Sequence, residues 1–147
     1  MKAILYLFTF VTLVCCLCFC TASAQQQDQG NVFVVTTVER AFPEGGTRAE
    51  LDSLTQLFTD RVIKKNELIL SHRILRHWWG HDNTQVLIMY EVKDWADVDK
   101  ANTRNDELFQ KAFPTKEERD RYNKANGKYF SGKHADEIYS EVKAGRK

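Results

Sequence analysis

The chain has 147 residues, with 21 Lys+Arg against 20 Asp+Glu, 43% hydrophobic and 12% aromatic positions, four Cys and two Pro. One core serves a chain of this length, at roughly 100–200 residues per domain, and the near-average apolar and charged fractions exclude a disordered chain, a collagen and a multispanning membrane protein. The near-neutral balance gives no broad basic footprint for nucleic acid or an anionic lipid surface.

Residues 1–24 read as a secretory signal peptide. Lys2 supplies the positive start, and Ile4 to Cys20 form an apolar run broken only by Thr9 and Thr12. Ala22-Ser23-Ala24 then places small residues at both cleavage-determining positions, before polar Gln25-Gln26-Gln27. A retained anchor is the competing reading, but the run of about 17 residues is short of the roughly 20 a span needs, and no basic stop follows. A lipoprotein is another, since Cys15, Cys16, Cys18 and Cys20 lie near the right depth. Val14, Leu17 and Phe19 precede three of them where a small residue is expected, and Cys16 follows another Cys.

Cleavage removes every Cys, so the mature chain has no disulfide, thiol nucleophile or thiolate metal site. It also removes Lys2 and leaves basic and acidic residues balanced. The expected location is secreted or periplasmic, with no membrane association after cleavage. The absence of disulfides suits a bacterial periplasm or exterior better than a small eukaryotic secreted scaffold.

Residues 25–30 are a polar, disordered lead-in by composition. Val32 to Val38 is β-branched and apolar at both parities, as in a strand buried on both faces. Phe42-Pro43-Glu44-Gly45-Gly46 is a loop. Thr47-Arg48-Ala49-Glu50 forms a capping box, and Leu51, Leu54, Phe58 and Val62 recur at helical spacing to about Lys65 or Asn66. Leu68 to Ser71 fits either state.

Arg73 to Trp79 is a second strand, Gly80 to Asn83 a hairpin loop, and Val86 to Val92 the most apolar strand in the chain. Asp94 can cap a second helix carrying Trp95, Val98, Ala101, Leu108, Phe109 and Ala112. Pro114 interrupts it, and Thr115-Lys116-Glu117-Glu118 starts a further helical segment with a second capping box, ending near Gly127 or by Gly132. Glu137 to Val142 is a short last strand, and residues 143–147 are a basic, solvated tail.

The order β-α-β-β-α-β specifies a ferredoxin-like α+β sandwich over residues 31–142, a four-stranded antiparallel-type sheet with helices on one face. Its first and third strands lie in the middle, and these are the two runs apolar at both parities. Val32, Val34, Val35, Leu87, Ile88 and Met89 leave no polar face, so the face without helices needs a cover. A second copy of the sheet is the economical one, which makes the expected assembly a homodimer.

On this element order and these double-sided strands, residues 31–142 resemble the dimeric α/β-barrel superfamily. It includes antibiotic-biosynthesis-type monooxygenases and many small proteins of unassigned activity. The stretch Arg73 to Gly80, with Val86 to Trp95 and the ending His134-Ala135-Asp136-Glu137-Ile138-Tyr139, also looks like exported members. The resemblance implies pairing of two sheets into a barrel. It implies no single chemistry, since members include cofactor-free oxygenases, haem-handling enzymes, isomerases and plain binding proteins.

Candidate site residues come from composition and parity. His72, His77, His81 and His134, with Asp82 or Glu91, invite a metal hypothesis. However, His72 and His77 have opposite parity on a strand, and His77 and His81 would be about 13 Å apart if extended. No metal is expected. Trp78 and Trp79 alternate in direction, and each is either a packed residue or the wall of a pocket for a planar ligand. In the second case His77 shares a face with Trp79 and could orient or deprotonate that ligand. Arg73 and Arg76 would favour an anionic end on it, or else are solvated edge residues that discourage strand addition.

Asn105 interrupts the apolar stripe of the second helix, either at its edge or turned inward with a partner. If inward, Asn105 with Tyr90 and His134 would supply the few polar groups of an apolar cavity. Tyr90 and Glu91 alternate, so only one can face it. There is no Gly-rich phosphate loop, nucleophile elbow, His-Glu-x-x-His or paired-Cys zinc signature, and no cofactor is expected. An RNA-binding platform shares this element order, but neutral charge, export and the missing basic-aromatic strand motif argue against it. The expected function is small-molecule binding by a homodimer, with His77, Trp79, Tyr90, Asn105 and His134 as ligand contacts. The alternative is a cofactor-free monooxygenase or isomerase acting on a planar apolar substrate.

Overall fold

The computed structural model describes residues 30–80 and 83–142. Residues 1–29, on which the expected signal peptide and lead-in fall, His81, Asp82 and residues 143–147 lie outside the described residues. The elements run β1 (Val32–Arg40), α1 (Arg48–Arg61), a 3-10 turn (Ile63–Lys65), β2 (Ser71–Arg76), β3 (Gln85–Val92), α2 (Asp97–Ala112), α3 (Lys116–Gly127) and β4 (Phe130–Ser140). All strand pairs are antiparallel, in the order β2-β3-β1-β4. This is the ferredoxin-like arrangement, with β1 and β3 central and the second helical region divided at Pro114.

Both Thr caps form, in different ways. Thr115 accepts from the Glu118 amide, and the Glu118 carboxylate takes the Thr115 N–H at 3.0 Å, a complete capping box. Thr47 likewise accepts from the Glu50 amide at 3.1 Å, but the reciprocal bond is relayed. The Thr47 N–H donates to the Tyr129 hydroxyl at 3.0 Å, and that hydroxyl donates to Glu50 Oε2 at 2.5 Å. Glu50 is drawn aside by Lys128, 2.7 Å away, so the start of α1 is tied to the residue that precedes β4. At α2 the expected cap is displaced. Asp94 lies in a preceding turn, its carbonyl accepting from the Asp97 amide at 3.2 Å, and Ala96 is the N-cap without a side-chain bond. Asp97 and Asp99 in the first turn offset the helix dipole instead.

Two strand boundaries differ from the sequence reading. β2 stops at Arg76, which pairs with Val86, and Trp78 and Trp79 fall in the connecting loop. β4 is longer and starts earlier, running beside β1 with a register shift between Val38 and Arg40. Gly132 (φ 83°) takes the left-handed conformation in the extra residues of that irregularity. Phe130 to Asp136 has no apolar alternation because β4 is an edge strand, exposed over nearly its whole length. Hydrophobic periodicity needs a buried face to produce it.

Register settles the parity. Val34 and His72 both pair with Tyr90, and Thr36 and Ile74 both pair with Ile88. Even-numbered residues of β1, β2 and β3 therefore share one face. Val32, Val34 and Val92 on it pack against Val98 and Ala101 of α2, so it is the helix side. Phe33, Val35, Leu87 and Met89 occupy the opposite face, which none of the described helices covers.

Candidate functional site

The even face is not filled along its length. Near α2 it is sealed by the valine cluster with Leu68, Ile69 and Tyr90. Farther along, a cavity of about 430 Å³ opens between sheet and helices. Its floor is Thr36, His72, Ile74, Ile88 and Tyr90, in register across three strands. Its roof is Thr55, Phe58 and Thr59 of α1, Asn105 and Phe109 of α2, and Tyr122 of α3.

The roof is held by aromatic packing. Phe58 stacks on Tyr122 at 6.1 Å between centroids, Phe109 meets Tyr122 at 5.7 Å, and Phe113 closes on Tyr122 at 4.9 Å. Three helices thus converge on one ring cluster, and each contact adds about 0.5–1.5 kcal/mol beyond burial. Burial pushes the Tyr122 hydroxyl up to about 12, so it stays protonated. Polar side chains also line the cavity, Asp106, Asn123 and Asn126 among them, and they are differently held. Tyr90 donates to Asn102 Oδ1 at 2.7 Å, and burial raises its pKa. Burial alone lowers the His72 pKa below the ordinary 6.5, which keeps the imidazole neutral at pH 7. Asn105 Oδ1 accepts from Asn66 Nδ2 at 2.8 Å, which leaves its amide N–H groups as donors toward the cavity.

Asn66 is the hub behind this arrangement. It is buried, also donates to the Ala101 carbonyl at 2.8 Å, and accepts from the Leu68 amide at 3.0 Å. One side chain therefore anchors the chain entering β2 to α2 and orients Asn105. The cavity has room for a planar molecule between the rings of the roof and Ile74 and Ile88 of the floor. A neutral imidazole beside it is a hydrogen-bond acceptor and a workable proton acceptor.

Of the residues proposed from sequence, Tyr90 and Asn105 are brought together here. His77 and Trp79 follow the end of β2 and do not line the cavity; Trp78 and Trp79 are 98% and 89% exposed. Gly80 (φ 137°) leaves room that the His77 ring occupies, where a Cβ would collide. His134 is exposed on β4, its Nε2 3.5 Å from Asp136. Glu91 points to the other face, accepting from Ser71 Oγ at 2.6 Å and from Asn31. Among the described residues no three His, Cys, Asp or Glu side chains gather as a metal site. His72, Phe58 and Tyr122 were missed as site residues. Shared parity of His72 with Tyr90 across a β2–β3 hairpin was the available signal.

No family model and no curated protein matches the sequence. Solved structures do. A candidate antibiotic biosynthesis monooxygenase from Caulobacter crescentus CB15 aligns at TM-score 0.51 and 15% identity, over 79% of this chain and 93% of that one. A second candidate of the same description from Bordetella bronchiseptica aligns at TM-score 0.51 and 10% identity, over 78% and 99%. A third, from Nitrosomonas europaea, gives 0.50 and 12%, over 78% and 94%. At such identities the likeness is one of fold and assigns no activity. The chain has the ferredoxin-like fold that it shares with these three structures.

Proposed function

We propose that this is an exported homodimeric protein that binds a small planar, apolar molecule in the cavity between sheet and helices. The observation that carries the reading is the make-up of that cavity: the rings of Phe58, Phe109 and Tyr122 in the roof, Ile74 and Ile88 in the floor, and polar side chains from several elements around the same space. Ligand sites are built in this way, at volumes of roughly 300–1,000 Å³. His72, Tyr90 and Asn105 are the polar contacts, and His77, Trp79 and His134 are left for the surface.

The test is a calorimetric titration with 2-naphthamide, a flat neutral probe. Binding should be seen with the mature chain and should fall at least tenfold when the cavity is filled by Ile88→Trp or, from the opposite wall, Thr59→Trp. Unchanged affinity in a folded filled variant would contradict the reading. Export is tested separately by intact mass, which should show a chain beginning at Gln25.

A second reading has its own support. A neutral His72 within a ligand cavity suits proton abstraction from an acidified C–H or phenol, the first step of a cofactor-free oxygenase or an isomerase. Oxygen uptake or isomerisation that His72→Gln abolishes, with 2-naphthamide still bound, would favour the enzyme over the binding protein.

A further inference from the structure

A second cavity of about 370 Å³ adjoins the first. The two share Thr55, Ile74, Ile88 and Phe130, and the second is distinguished by Arg40 and Arg76 in its wall. Arg40 is only 9% exposed. Its Nε and Nη1 are buried without an acceptor among the described residues, and Nη2 makes one long bond, donating to the Asn83 carbonyl at 3.3 Å. The Phe42 ring lies 5.9 Å from the guanidinium carbon. A guanidinium carries five N–H donors, and buried cations are normally paired.

The surroundings do not balance this charge. Burial, then Arg76 and Arg48, hold the Arg40 pKa below its ordinary value, with Asp52 opposing among the described residues. Asp52 is itself committed to Arg76. A guanidinium does not lose its proton at neutral pH, so this end of the cleft holds positive charge in excess of its carboxylate. The other end carries the rings of Phe58, Phe109 and Tyr122 and no cationic side chain, with Asp106 the carboxylate in its lining.

We infer that the Arg40–Arg76 end receives the carboxylate of an aromatic acid whose ring occupies the adjoining aromatic cavity. Arg76, the more exposed, meets the carboxylate directly, and Arg40 supplies uncompensated positive charge behind it. Charge-assisted bonds from guanidinium to carboxylate are the strong class of such contacts. The inference rests on the cavity's being a ligand site, and it adds the ligand's chemical class.

The experiment compares 2-naphthoate with its neutral counterpart 2-naphthamide by calorimetry at pH 7. The carboxylate should bind at least tenfold tighter. Arg40→Met should bring the two within twofold while leaving 2-naphthamide affinity unchanged. Its denaturation midpoint should be no lower than the parent's, because the change removes an unpaired buried charge. Arg76→Met should lose at least threefold of the preference and decides the matter if Arg40→Met does not fold. If 2-naphthamide binds and 2-naphthoate is no tighter, the inference fails while the aromatic cavity stands. If neither binds at millimolar concentration, the cavity reading fails and the inference falls with it.

Discussion

His72 shows how one strand position acquires a chemistry that its neighbours lack. It sits on the helix side of β2, opposite Tyr90, where burial disfavours the charged imidazole and lowers its pKa from 6.5. Between 6.5 and that lowered value, the unfolded chain binds a proton that the folded state does not. The contribution to stability is therefore full above pH 6.5, declines as the pH falls toward the lowered value, and levels off below it. Urea midpoints measured from pH 7.5 to 5 should fall, and His72→Gln should flatten that fall. An unchanged slope in the variant would place the imidazole in water.

At the scale of elements, Asn66 holds the approach to β2 against α2 through two donated bonds and one accepted bond. Asn66→Ala strands a buried amide and frees Asn105, and should cost about 2–3 kcal/mol in denaturant titration with weaker 2-naphthamide binding. A cost under about 0.5 kcal/mol, the range of unimportant surface changes, would mean that the hub is not used.

Much at this scale was legible beforehand. Element order followed from cap residues, Pro114 and the apolar runs, because each is a local signal. The extent of β4 was hidden, since an exposed edge strand needs no apolar periodicity. The site was half legible. Tyr90 and Asn105 stood out as polar breaks in apolar patterns, whereas Asn66 and Arg40 acquire their roles only when distant elements meet. His77 and Trp79 drew attention as aromatic composition, but the strand beneath them ends at Arg76.

At the scale of the molecule, the sheet face that none of the described helices covers is the feature that argues for a partner copy. Val35, Leu87 and Met89 share it with Leu75 and Tyr139, which are 48% and 51% exposed. Parity now separates two substitutions. Met89→Lys, on the open face, should leave a folded monomer by light scattering and circular dichroism. Val34→Asp, in the valine cluster, should unfold the chain, because an unpaired buried charge costs several kcal/mol. A Met89→Lys protein that remains dimeric would move the interface elsewhere.

The central claim is that the sheet and three helices enclose a ligand site. A crystal structure of residues 25–147 grown with 2-naphthamide tests it most directly. The account predicts ring density between Ile88 on the floor and Phe58 and Tyr122 on the roof, with the amide near His72 or Asn105. Density confined to the exposed Trp78-Trp79 loop, or Phe58 closed onto Ile88 with no ring between them, would contradict it.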